Sequence, residues 1–117
     1  MKIVYLVTVA VLLASCGGTE KKSGESADAA FDEYKKQYIA QLWRTYPGWA
    51  SSVGYHNYDS VLVIPDENSR KTELSFANSQ LDSLKKYTPE SLSDNNKTDY
   101  RLIENQLQSV LFSVNEQ

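Results

Sequence analysis

The chain has 117 residues, 41% of them hydrophobic, with 12 lysines and arginines against 15 aspartates and glutamates. That length and apolar content suit one small folded domain and argue against a disordered polymer. A net charge of −3 disfavours nucleic acid as a partner, and a single cysteine leaves no disulfide framework.

The first sixteen residues, MKIVYLVTVAVLLASC, open with Lys2, run apolar and uncharged from Ile3 to Ala14, and close on small residues. This is the pattern of a secretory leader. It is shorter than the roughly 20 apolar residues that cross a bilayer core. Leu13, Ala14 and Ser15 ahead of Cys16 resemble the lipobox of bacterial lipoproteins. The resemblance implies cleavage between Ser15 and Cys16, a diacylglyceryl thioether on Cys16, and a palmitate-type acyl group on the new amino terminus. Three acyl chains, at about 0.8 kcal/mol per buried methylene, would hold the product firmly on a membrane. The expected location is the bacterial cell envelope, on the outer membrane or cell surface. Loss of residues 1–15 removes Lys2 and no acid, leaving 11 basic against 15 acidic side chains and a formal charge of −4.

Residues 16–30 are polar and rich in glycine and serine, with no large apolar side chain before Phe31, and they read as a lipidated flexible tether. From Ser26 the pattern becomes helical, with Phe31, Tyr34, Tyr38 and Leu42 on one stripe that Ile39, Trp43 and Tyr46 widen. Pro47 is placed to begin a short second helix, PGWASSVG, with Gly54 as its stop. The stretch YHNYDSVLVIPDENS has no sustained period and reads as an irregular crossing, in which SVLVI is the one brief segment suited to a strand. A third helix is expected over roughly 69–87, with Leu74, Ala77, Leu81 and Leu84 on one face and Pro89 beyond its end. A fourth begins near Asn95 or Asn96 and carries Tyr100, Ile103, Leu107, Val110, Leu111 and Val114. The class is all-α, with about four helices.

The apolar period of the last helix is still running at Gln117, so the expectation for 31–117 is a helical region incomplete at its carboxyl end. The alternative is a small complete bundle, which at this size buries a smaller fraction of its surface than a larger domain does.

FDEYKKQYIAQLWRTYPGWASSVGYHNYDSVL, a polar crossing, a leucine-spaced helix and then YTPESLSDNNKTDYRLIENQL together resemble the amino-terminal part of the bacterial family called domain of unknown function 885. The matching features are Pro47, Trp49, Ala50, Gly54, His56, Tyr58, Asp59 and Leu62, followed by Leu92, Ser93, Asp99, Tyr100 and Leu107. Their order carries the likeness, because none is specific alone. The resemblance implies a larger, mainly helical, zincin-like envelope protein that binds zinc through an HExxPGH helix and acts on peptides. That motif is absent from these residues. Catalytic zinc usually takes three protein ligands, and one histidine without a free thiol does not supply them, so neither a metal site nor a catalytic group is expected within the chain. Zinc belongs to the expectation for a full-length parent.

His56 is the only histidine. In one reading His56, Tyr58 and Asp59 edge a substrate cleft, with the imidazole bonded to a passing peptide. In the other, His56 orients the crossing while Trp49, Tyr55 and Tyr58 pack between helices. The second has more weight, because aromatic residues near a helix end more often belong to a core than to a site. No phosphate loop or nucleophile elbow is present, and the serines have no histidine but His56 to activate them. The favoured function is therefore a lipid-anchored, amino-terminal portion of a zinc-dependent peptidase, inactive by itself. The alternative is a non-catalytic helical lipoprotein that binds a partner, for which an exposed Trp43, Tyr46 and Trp49 stripe would serve.

Overall fold

The computed structural model describes residues 19–116. Helix α1 spans Thr19–Thr45, α2 Pro47–Ser52, α3 Glu67–Leu84 and α4 Asp94–Asn115; 3-10 turns lie at His56–Tyr58 and Pro89–Ser91. The fold is all-α, and no strand occurs among the described residues, so the SVLVI segment stays unpaired.

Three long helices carry the core because each has one apolar stripe that needs a partner surface. Phe31, Tyr34, Tyr38 and Leu42 from α1 meet Phe76, Ala77 and Leu84 from α3 and Tyr100, Ile103, Leu107 and Val110 from α4. Phe31, Leu84 and Leu107 are fully buried, each contributing roughly 1.5–3 kcal/mol of transfer free energy. Phe31 packs edge-on against Tyr87, just past the end of α3, and lies near Tyr100 in the second turn of α4. At the other end of α1, Tyr46 packs edge-on against Phe76 and its hydroxyl donates to Glu73 at 3.2 Å. The order is therefore up, down, up, with α1 antiparallel to α3 and parallel to α4.

Local chemistry sets the helix ends. Asp66 caps α3 by accepting the Ser69 N–H at 2.8 Å while the Ser69 hydroxyl accepts the Asp66 N–H at 3.0 Å. This reciprocal cap satisfies two backbone donors and starts α3 two residues before the expected Ser69. Ser93 caps α4. The last turn expected of α3 is replaced by single turns at Lys86 and Tyr87, whose N–H groups bond Ser83 and Leu84 carbonyls.

Two expectations are corrected. The expectation of a flexible tether reaching to residue 30 does not hold from Thr19 on, where α1 is already helical. Within that stretch Asp28 bonds both the backbone N–H of Ser93 at 2.9 Å and the Asn96 amide at 2.8 Å, and Ala27 packs on the core. The face expected of α3 is also rotated: Phe76 and Gln80 are buried beside Ala77 and Leu84, whereas Leu74 and Leu81 are half-buried. Gln80 enters the interior because its amide donates to Gln41 Oε1 at 2.8 Å, which offsets the cost of burying it. Among the described residues no buried side-chain polar atom lacks a partner.

Candidate functional site

The candidate site is the crossing between α1 and α3. Thr45 ends α1, and Pro47 opens α2 with a fixed φ and no N–H to leave unsatisfied. Six residues later the chain turns out through a paired closure: Tyr55 N–H bonds Ala50 O at 2.9 Å and Gly54 N–H bonds Ser51 O at 3.0 Å. This Schellman geometry places Gly54 at φ 88°, a conformation that disfavours any side chain even though nothing crowds the position. Gly54 is the stop that its place in the sequence indicated.

The turn at His56–Tyr58 then brings a small polar network together. His56 Nδ1 lies 2.9 Å from Asp59 Oδ2, while the Ser51 hydroxyl donates to Asp59 Oδ1. The Ser51 bond, followed by His56, holds the Asp59 carboxyl below its ordinary pKa. The network is solvated, with the imidazole 68% and the carboxylate 50% exposed. His56, Tyr58 and Asp59 thus share one turn as the sequence placed them, but Tyr58 is half-buried and leans on Tyr55 at 6.0 Å between ring centroids. Ser51 was not singled out from sequence. Its position eight residues before Asp59, on the last turn of a short helix, carries no local signal.

This arrangement is not a nucleophilic triad. There a histidine takes the serine proton and an acid orients the histidine. Here the carboxylate stands between Ser51 and His56, so the imidazole has no contact with the hydroxyl. What the geometry permits is an exposed imidazole anchored through Nδ1 and able to hydrogen-bond a passing group. Zinc does not fit these residues: no cluster of three His, Cys, Asp or Glu able to hold a metal occurs among the described residues.

An open groove of about 700 Å³ runs beside the crossing, lined by Asp32, Lys35, Lys36, Ile39, Trp43 and Tyr55. Its aromatic end is built by Trp43, which packs edge-on against Trp49 at 5.3 Å and lies 6.4 Å from Tyr55. At its other end Lys35 bonds Asn96 at 2.6 Å, Asp99 at 2.7 Å and Asp32 at 3.0 Å. Burial works against the Lys35 charge, but the bonds to Asp99 and Asp32 outweigh it and leave the ammonium pKa raised. Later in the crossing, Val61 to Ile64 are exposed in sequence, Leu62 at 85%.

Ser15 and Cys16, the residues expected at the cleavage and lipidation site, lie outside the described residues, as does the leader 1–15. Among the described residues no helix is long and apolar enough to cross a membrane. The chain matches no family model, no curated protein and no solved structure.

Proposed function

We propose that the chain is the amino-terminal helical portion of a lipid-anchored envelope protein, and that the protein it belongs to is a zinc-dependent peptidase resembling the domain of unknown function 885 family. Cys16 carries the lipid in this reading, and the zinc, its ligands and the general base come from residues that this sequence does not contain. The helices themselves are not catalytic. By analogy at the level of fold alone, they would wall one side of a peptide cleft.

The observation that supports it most is the uncovered apolar surface at the crossing. Trp49 is 43%, Leu62 85% and Ile64 65% exposed, and Trp49 and Leu62 are among the residues that carry the resemblance. The run Val61–Ile64 exposes four apolar side chains in succession, and exposed apolar surface of this kind suits a place where further protein packs. The test is to read the coding DNA past codon 117 for an in-frame HExxPGH helix, then to measure zinc content and chelator-sensitive peptide cleavage by the encoded product. A stop codon with no such motif downstream overturns the peptidase reading.

A second reading has its own support. The core is closed around Phe31, Leu84 and Leu107, and its buried polar side chains are satisfied among the described residues. That favours a self-sufficient, non-catalytic lipoprotein that uses the same apolar surface to bind a partner. A sharp cooperative melt of residues 26–117 expressed alone would favour it over the fragment reading.

A further inference from the structure

We propose that the bundle stands on the membrane by a short, stiff helical stalk, with the turn between α3 and α4 facing the lipid and the His56 crossing displayed at the opposite end. The proposal rests on the lipid anchor at Cys16 put forward above. Only Gly17 and Gly18 separate Cys16 from the start of α1, and the three steps from Cys16 to Thr19 reach at most about 11 Å when fully extended. From Thr19 the backbone is helical without interruption to Thr45.

The stalk joins the bundle almost at once. A Cβ on Gly24 would lie 3.9 Å from the Ser91 carbonyl oxygen, so the Pro89–Ser91 turn abuts the second turn of α1. Five residues of helix rise about 7.5 Å. Asp28 then locks α1 to the start of α4 through Ser93 and Asn96, and the Tyr87 hydroxyl donates to Ala30 O at 3.3 Å. These bonds prevent α1 from swinging independently of the other helices. The lipid-proximal end is therefore the α3–α4 turn. Lys85 pairs with Asp82 and Lys97 with Asp94 at this end, and chain connectivity places it next to the anchor.

The far end follows from the helix length. Thr19 to Thr45 is 27 residues, or about 40 Å of rise. With α1 standing along the membrane normal, as the stalk requires, that length holds Val61–Ile64 and the groove at Trp43 and Tyr55 away from the acyl chains. In that orientation the exposed apolar segment faces the surrounding space and not the bilayer.

The test uses the full-length acylated protein in vesicles that contain a fluorescence-quenching headgroup lipid. Single labels are placed through Ser91→Cys or Ser60→Cys, both on exposed turns, with the Cys16 sulfur blocked by its lipid. Quenching should be strong at position 91 and weak at 60. An insert of about 20 Gly and Ser residues after Gly18, with a root-mean-square span near 25 Å, should weaken quenching at 91 and erase most of the difference. Equal quenching at both positions in the uninserted protein, or stronger quenching at 60, overturns the stalk. Radiolabelled palmitate incorporation, measured on the same samples and on Cys16→Ala, reports the anchor separately: a labelled protein with equal quenching refutes the stalk alone, and an unlabelled one refutes the anchor and the stalk with it.

Discussion

Asp28 Oδ1 accepts the backbone N–H of Ser93 at 2.9 Å, across 65 residues of sequence. The same oxygen accepts from the Asn96 amide, whose own oxygen takes a bond from Lys35. One carboxylate therefore closes the α3–α4 turn onto α1 and gives the Ser93 N–H a fixed acceptor. The bond to the Ser93 backbone, followed by that to Asn96, holds the Asp28 carboxyl below its ordinary pKa.

That depression has a sign. A carboxyl with a lowered folded-state pKa stabilises the fold above its unfolded value, near pH 3.9, and loses that contribution as pH falls through the lower folded value. The melting temperature should drop below about pH 4, and Asp28→Asn should lower it at neutral pH while flattening the acid limb. Thermal melts between neutral pH and the acid transition check this; an unchanged acid limb in the variant would assign the effect to other groups, Asp32 first.

Leu107 is fully buried where α4 meets the other two helices. Truncation to alanine removes its transfer free energy and leaves a partly collapsed cavity, so Leu107→Ala should cost about 2–5 kcal/mol in urea unfolding. A cost under about 1 kcal/mol would mean that the interior is loosely packed.

The tyrosines give an alkaline counterpart. Burial raises the pKa of Tyr34, Tyr38, Tyr46 and Tyr100, with Glu73 adding to the effect at Tyr46. Their contribution is complete below the unfolded value near pH 10 and is lost as pH rises through the folded values. Phenolate absorbance from this buried set should therefore develop together with the loss of helical signal. Its appearance before any unfolding would show that these rings are open to solvent.

Leu62 and Ile64 touch little of the bundle, being 85% and 65% exposed. Leu62→Lys and Ile64→Lys should each change folding stability by no more than about 0.5 kcal/mol. Both should reduce binding of an apolar dye and raise solubility. A large stability loss would place the segment within the core of the folded chain.

The imidazole of His56 contacts Asp59 through Nδ1. In its neutral form the ring should therefore carry its proton on Nδ1, a tautomer that nitrogen NMR distinguishes directly. Asp59→Asn should remove that preference and loosen the turn, with little effect on the melting of the three long helices. An Nε2 tautomer in the unaltered protein would contradict the contact.

What the sequence alone determined is the part of the structure that repeats along one helix. The stripes Phe31, Tyr34, Tyr38, Leu42 and Tyr100, Ile103, Leu107, Val110 are legible because 3.6-residue periodicity is local, and all eight are buried. Pro47 and Gly54 marked the limits of α2 for the same reason, each through its own backbone restriction. The turn that joins His56 to Asp59 was legible as an irregular crossing, though its bond to Ser51 was not. Only the tertiary structure decided which way the edges of each stripe face: Ile39 lines the groove, whereas Phe76 and Gln80 lie in the core. It also decided that the polar stretch before Phe31 is ordered as a helix, because the partners of Asp28 lie more than sixty residues away. Periodicity records how much apolar surface a helix must hide; the partners of its polar residues depend on which helix arrives beside it.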